Sequence, residues 1–340
     1  MKKIVSITIA SVAAILSCLS CTSTDDQIQN ISVDTSTNGN PSFAININKE
    51  IHLSDSVLVG NISKVYYYNQ RVYILDKSSK SLLCYKNTGD LLFRICSVGR
   101  ANEEYTGISN AYLQEKEDKL TIIASEKKIL EYSAATGDLL GVSSIDAQTI
   151  MFTDGAELES GQMALGIVGP HHNMAICSSD TTIYQIPFYM ARDFAFMEKA
   201  FTRDGEKTLF IHGMSNNIYS IEPDTAMVKY VVDFKGLEIS DSEYENSTPA
   251  QIQEIYSSRT VATRMDNLVT SGNWISFSYW LMHPNIEQET CYVLYNKKTG
   301  KAININDHRL FPIRGSADNM FISVVDNPAR ENPTIVLWKP

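Results

Sequence analysis

The sequence predicts an all-β fold: a six-bladed β-propeller whose last blade is closed by an N-terminal strand, with a short helical insertion around residues 247–260. Three observations lead there. The pentapeptide TGDLL stands at 88–92 and again at 136–140. An apolar strand that opens each of these units recurs along the chain with a period in the mid-forties. The single longer interval carries the start signals of a helix.

The repeated unit comes first. Residues 72–92 read VYILDKSSKSLLCYKNTGDLL and residues 120–140 read LTIIASEKKILEYSAATGDLL. Each opens on an apolar run, crosses a polar turn, returns through a run ending in Tyr85 or Tyr132, and turns again at Thr-Gly. Gly89 and Gly137 supply the positive φ that a tight hairpin connection needs. A third version, CYVLYNKKTGKAINI, occupies 291–305. The opening strand recurs at Val72, Leu120, Ala164, Leu209, Ile275 and Met320, in steps of 48, 44, 45, 66 and 45 residues. Radial packing of such units buries both faces of every sheet, and closing the ring removes most strand edges.

The 66-residue step contains GLEISDSEYENSTPAQIQEIYSSRTVATRMDNLVTSG. Thr248 is suited to cap a helix and Pro249 to its first position. Ile252, Ile255 and Tyr256 then share one helical face. At the C-terminus the last unit holds only two strands. The segment FAININKEIHL at 43–53 is a spare strand at the other end, and it is expected to complete the final blade.

Ahead of the propeller the chain divides into a leader, 1–20, and a linker, 21–42. Lys2 and Lys3 form a positive n-region, followed by an apolar run too short to span a bilayer. The formal net charge is −10, and removing Lys2 and Lys3 with the leader takes it to −12. An acidic surface argues against nucleic acid and anionic lipid as partners. Residues 22–42 are rich in Ser, Thr, Asn and Asp and read as a flexible tether. The run Ser17-Cys18-Leu19-Ser20-Cys21 resembles the lipobox of bacterial lipoproteins. There the peptidase cuts before a cysteine that carries diacylglycerol. Cys21 is favoured over Cys18 because it leaves a short region after the apolar run. Acidic residues soon after Cys21 resemble the surface-export signal of Bacteroidetes lipoproteins. The expected location is the cell envelope, at the outer membrane, held by the lipid alone.

Further along, the segments VLVGNISKVYYYNQRVYILD (57–76), SVGRANEEYTGIS (97–109), NNIYSIEPDTAMVKYVVDFKG (216–236) and ENPTIVLWKP (331–340) resemble six-bladed β-propeller lipoproteins of Bacteroidetes, related in architecture to NHL-repeat propellers. The likeness covers roughly 45–340. The Gly-x-Gly-Pro-Gly-Glu-Tyr motif frequent in that family survives here only as Gly99, Glu104 and Tyr105. The family has no settled activity, so the resemblance implies fold and location and leaves chemistry open.

The residues themselves point to binding rather than catalysis. Gly-x-Ser-x-Gly, P-loop and His-Glu-x-x-His motifs do not occur, nor does Cys-x-x-Cys. Cys84, Cys96, Cys177 and Cys291 read as buried free thiols, with Cys84 set opposite Phe93 rather than Cys96. The loop 99–105 offers Arg100, Glu103 and Tyr105, a charged pair with an aromatic ring; a structural role for Tyr105 between blades is the competing reading. His171 and His172 lie in a turn, and Trp280, if exposed, is able to stack on a sugar. These six are the candidate ligand contacts. No cofactor or metal is expected. The expected function is a lipid-anchored binding module for a glycan, a peptide or an envelope protein. The rival is a propeller hydrolase or lyase, with Asp76, Asn110, Asn173, Asn217 and Asp326 converging on a metal in the central funnel.

Overall fold

The computed structural model describes residues 27–36, 44–145, 151–168, 174–177, 182–185, 199–284, 288–306 and 308–340. Two strands lie ahead of the blades, β1 (Gln29–Ser32) and β2 (Asn46–His52). Blade 1 is β3 (Ile62–Tyr68), β4 (Arg71–Asp76), β5 (Ser81–Lys86) and β6 (Leu91–Ile95). Blade 2 is β7 (Ile108–Gln114), β8 (Lys119–Ala124), β9 (Lys128–Ser133) and β10 (Leu139–Ser144). Blade 3 is β11 (Met151–Glu157), β12 (Met163–Val168), β13 (Met174–Cys177) and β14 (Thr182–Gln185). Blade 4 is β15 (Phe201–Asp204), β16 (Lys207–Ile211), β17 (Asn217–Ile221) and β18 (Ala226–Asp233). Helices α1 (Asp241–Asn246) and α2 (Pro249–Ser258) follow, then blade 5 with β19 (Val261–Ser271), β20 (Trp274–Met282), β21 (Glu289–Asn296) and β22 (Lys301–Ile305). Blade 6 is β23 (Ile313–Ala317), β24 (Met320–Val325) and β25 (Thr334–Lys339), completed by β2.

Six separate hydrophobic cores hold the ring, one between each neighbouring pair of blades. The junction of blades 6 and 1 joins Ile51, Ile322 and Leu337 to Val65, Ile74 and Leu83. This follows from the sequence pattern: strands apolar on both sides, such as RVYILD and KLTIIA, must be covered from both sides. The expected closure is present, because β2 pairs antiparallel with β25 from Asn46↔Lys339 to His52↔Thr334.

The TGD turns take part in closing the ring. In each, the threonine hydroxyl donates to the aspartate carboxylate two residues on, Thr88 to Asp90 at 2.8 Å and Thr136 to Asp138 at 2.7 Å. Gly89 has φ +92° and a Cβ there would sit 1.9 Å from the carbonyl oxygen of His52, at the end of the preceding blade's outer strand. Gly137 has φ +79° and faces the ring of Phe93 in the same way. Glycine is required twice over, by backbone conformation and by contact between blades.

Two features depart from expectation. Within the expected tether, β1 pairs in parallel with β18 as a fifth strand of blade 4, from Gln29↔Tyr230 to Ser32↔Asp233. Ile31 and Val33 are fully buried in the core between blades 4 and 5, so this stretch of 21–42 is packed rather than free. The alternating apolar pair in an otherwise polar run carries the strand. The second feature is α1, which lies ahead of the helical insertion expected around 247–260. Ser240 and Glu243 form a capping box at its start, as Thr248 and Gln251 do for α2. Ile252 and Tyr256 pack with Tyr244, Ile239 and Met214 against the ring.

Candidate binding funnel

Each blade runs from the axis outward, so the innermost strands β3, β7, β11, β15, β19 and β23 line the central channel. The links between blades lie at the end where these strands begin. The hairpin turns that follow the innermost strands lie at the other end. A funnel of about 520 Å³ opens at that hairpin end and takes lining residues from all six blades. Its walls include Tyr66, Tyr112, Phe201, Leu268 and Val269. Its rim carries Glu115, Lys116, Glu157, Glu159, Arg203 and Glu206. A groove of about 720 Å³ adjoins it at the hairpin turns of blades 4–6 and shares Arg203, Gly205, Glu206 and Ser316 with it.

The floor is built from two lysines that cross the channel. Lys64, on blade 1, is 6% exposed and reaches over blade 2 to Asp154 on blade 3, with Nζ 2.5 Å from Oδ1. Lys199, 3% exposed and just ahead of β15, reaches blade 6, where its Nζ donates to the carbonyl of Ile313 at 2.9 Å. Its backbone N–H donates to Asp266 of blade 5 at 3.0 Å. Asp154 accepts further bonds from the N–H groups of Gly155, Ala200 and Phe201. Burial alone pulls the Lys64 ammonium toward a lower pKa, but the Asp154 carboxylate and the Tyr66 hydroxyl more than offset it and the net direction is upward. Lys64 is therefore a cation.

β-Bulges aim these residues. The register shifts between Ile62 and Lys64, between Ile108 and Asn110, and between Phe152 and Asp154. A bulge turns a side chain out of the alternation of its strand. It lets a charged or amide residue stand over the channel inside an apolar strand. Asn110 occupies the equivalent place in blade 2, donating to the carbonyl of Thr153 and accepting from the N–H of Ala111. Sequence reasoning missed Lys64, Asp154 and Lys199. The signal was a polar residue one blade period apart, in ISKV, ISNA and FTDG, ahead of the strands used to find the repeat.

The described residues among those expected to bind ligand, Arg100, Glu103, Tyr105 and Trp280, do not line the funnel. Loop 99–105 belongs to the link between blades 1 and 2, at the end opposite the funnel mouth. Tyr105 is fully buried; its hydroxyl donates to the carbonyl of Lys80 at 3.0 Å and accepts from the N–H of Ser97. Its ring therefore presents no face to a ligand, and its packing role corrects the expected contact. Gly99 leaves room for the Glu104 carboxylate, which accepts from the N–H of Ala101 at 2.8 Å, and Lys128 donates to the carbonyls of Ala101 and Glu104. The three surviving motif residues thus build the loop. Arg100 and Glu103 are exposed on it. Trp280, on the second strand of blade 5, is partly exposed and lies under the Arg264 guanidinium at 4.7 Å. Trp280 thus belongs to blade 5, whereas Arg100 and Glu103 belong to the link between blades 1 and 2. His171, His172, Cys21 and Asn173 lie outside the described residues.

Asp76 caps the start of blade 1, accepting from the N–H groups of Gly60, Asn61 and Ser78, and Asn217 bonds to Tyr219. Among the described residues, no group of three or more His, Cys, Asp or Glu side chains is placed to hold a metal ion. Cys84 pairs across its hairpin with Phe93, and Cys84, Cys177 and Cys291 are buried. Cys96 is exposed, contrary to expectation, because it follows the end of β6 beyond the blade core.

No curated protein matches the chain. Solved structures of low identity share its fold. A protein of Bacteroides fragilis NCTC 9343, described as exported, superposes with a TM-score of 0.69 at 15% identity, covering 92% of this chain and 99% of its own. A DUF4221 family member from Bacteroides vulgatus gives 0.56 at 8% identity over 87% and 98%. Virginiamycin B lyase from Staphylococcus aureus gives 0.50 at 9% identity over 87% and 100%. Residues 53–331 match the model of one family, and the chain thereby belongs to the domain of unknown function DUF4934.

Proposed function

We propose that this propeller is a binding module of the bacterial cell envelope, anchored by a lipid on Cys21, and that its ligand site is the central funnel. One observation carries the binding reading: the funnel is open at the hairpin end yet floored by two buried lysines crossing from opposite sides. A ring closed only for stability has no need of a wide mouth above a charged floor. Its volume lies within the ~300–1,000 Å³ of small-ligand sites. The apolar leader, the cysteine pair at its end and the likeness of fold to a protein described as exported support the location. The ligand classes remain a glycan, a peptide or a segment of an envelope protein.

Thermal melts against glycan and peptide panels test the module, with calcium and EDTA arms for the hydrolase or lyase rival. A ligand-dependent rise in Tm, lost when Ser316→Trp places a bulky side chain at the half-buried wall of the funnel, is the expected result. A rise that survives Ser316→Trp overturns the funnel as the site. A rise with calcium alone overturns the binding module in favour of the enzyme. Metabolic labelling with palmitate tests the anchor: label should vanish in Cys21→Ser and persist in Cys18→Ser.

A further inference from the structure

We propose that the funnel and the groove beside it form one cleft for an uncharged oligosaccharide chain. This rests on the funnel being the ligand site and names the class that it selects. The two cavities are continuous, because Arg203, Gly205, Glu206 and Ser316 line both. The turn between β15 and β16 thus belongs to the walls of both. The funnel is floored by Lys64 and Lys199, whereas the groove runs on past the hairpin turns of blades 4–6. A ligand that fills both is a chain, with one end in the funnel and its body along the groove.

Charge decides the class. In the funnel wall and rim, Lys116, Arg203 and Arg314 stand with Glu115, Glu157, Glu159 and Glu206. The groove adds Lys207, Lys229 and Lys297, with Asp204 and Asp318. Above the two floor lysines the joined cleft thus carries six bases and six acids. The chain as a whole is acidic, at −10, so this balance is local to the cleft. The signs are also interleaved: Lys297 Nζ lies 2.5 Å from Asp204 Oδ1, and Arg203 and Glu206 sit at the same turn. A charged polymer would meet like charge along its length and lose there what it gains elsewhere. A hydroxyl both donates and accepts, so it bonds to either sign, and bonds to ionised partners are the stronger ones. A carboxylate has several lone-pair sites and an ammonium several hydrogens, so groups already paired within the protein keep capacity for a hydroxyl. A peptide is less well served. Its side chains need pockets at alternate positions, and the apolar residues of the groove, Leu209 and Tyr230, are 1% and 3% exposed. In the funnel the half-buried Tyr66 is held by the bond from its hydroxyl to the Ala111 carbonyl at 2.9 Å and gives an aromatic wall for the C–H face of a sugar ring.

The test is isothermal titration of the full-length protein with maltohexaose, cellohexaose, xylohexaose and mannohexaose, and with the disaccharide of each series. Hexagalacturonate and the chitosan hexamer supply an anionic and a cationic chain. At least one neutral hexasaccharide should bind, at least about tenfold more tightly than its disaccharide. It should also exceed both charged chains by about tenfold. Gln29→Trp places a bulky side chain in the groove alone and should bring the hexasaccharide down to the affinity of the disaccharide. Ser316→Trp, in the wall common to both cavities, should abolish both. Equal binding of hexasaccharide and disaccharide overturns the joined cleft. Equal or tighter binding of a charged chain overturns the uncharged class. Absence of binding by every neutral hexasaccharide overturns the proposal, and a peptide response lost in Ser316→Trp then leaves the funnel reading standing alone. Saccharide binding untouched by Ser316→Trp overturns both. Should Gln29→Trp fail to fold, the length and charge series on the unaltered protein still decide.

Discussion

Lys64 Nζ stands 2.5 Å from Asp154 Oδ1 across the central channel, joining blade 1 to blade 3 between side chains that are 7% and 0% exposed. A buried ion pair gains little over an apolar pair of the same shape, but breaking it from one side is costly. Lys64→Met leaves Asp154 with three backbone donors and no counter-charge. It should destabilise the fold by roughly 3 kcal/mol. In Lys64→Met/Asp154→Asn the total loss should be smaller than the sum of the single losses. Urea denaturation of the four proteins in this cycle measures it.

His212 gives a second, pH-dependent prediction. It is 1% exposed, and burial pushes its pKa down to about 3. Its Nδ1 accepts from the N–H of Met214 at 3.4 Å, which places the ring proton on Nε2. The folded state keeps the ring neutral, while the unfolded chain protonates it near the ordinary histidine value of about 6.5. Its contribution is therefore complete above that value and lost as pH falls toward 3. The slope approaches ~1.4 kcal/mol per pH unit. Denaturation of His212→Gln and the parent between pH 7 and about 4 should converge as the pH drops. Parallel curves would contradict the buried neutral ring.

The turn glycines should rank by their surroundings. Gly89 faces a backbone carbonyl, Gly137 faces the Phe93 ring, and Gly300, with φ +69°, has nothing within 4 Å of an added Cβ. Alanine at each position bears the left-handed backbone cost of ~1 kcal/mol. The first two add a clash. The expected order of stability loss is Gly89→Ala, then Gly137→Ala, then Gly300→Ala, read as shifts in the urea midpoint.

Thiol chemistry should be equally selective. Burial pushes the Cys84 thiol up to about 12 and raises that of Cys291 as well, whereas Cys96 is exposed. With Cys18 and Cys21 replaced by serine, Ellman's reagent should modify Cys96 quickly and the other three only on unfolding. Rapid labelling of Cys84 or Cys291 in the folded protein would contradict the packing between blades.

Removal of β1 should loosen blade 4 without opening the ring. Ile31→Ala in the fully buried position should cost about 2–5 kcal/mol. Deletion through residue 53 removes β2 as well and should abolish cooperative unfolding, because blade 6 then lacks its outer strand.

The ring was legible in the sequence because its determinants repeat. The blade period, the Thr-Gly turns at Gly89 and Gly137, the spare strand at 43–53 and the Thr248-Pro249 helix start each depend on local residue chemistry, and each appears in the structure. The funnel floor was not legible, because Lys64 and Asp154 meet across two blade boundaries. Their pairing depends on ring closure and on bulges that no local pattern announces. Tyr105 illustrates a different limit: its residue type suits a ligand platform and an inter-blade plug equally, and only burial distinguishes them. Ile31 and Val33 were overlooked because two apolar residues in a polar run are too weak a signal without their partner strand.

Gln29, the first residue of β1, lines the groove beside the funnel, among the hairpin turns of blades 4, 5 and 6. The chain thus joins the body at the end where the funnel opens, and the first buried contacts follow within two residues. Eight peptide steps separate Cys21 from Gln29, a maximum reach of ~29 Å. With a lipid on Cys21, as proposed, that mooring is short. It would hold blade 4 toward the bilayer and keep the mouth of the ring in the layer just above the headgroups. A ligand would then arrive along the membrane surface, and lengthening the 22–28 segment would change what the mouth can reach without altering the pocket itself.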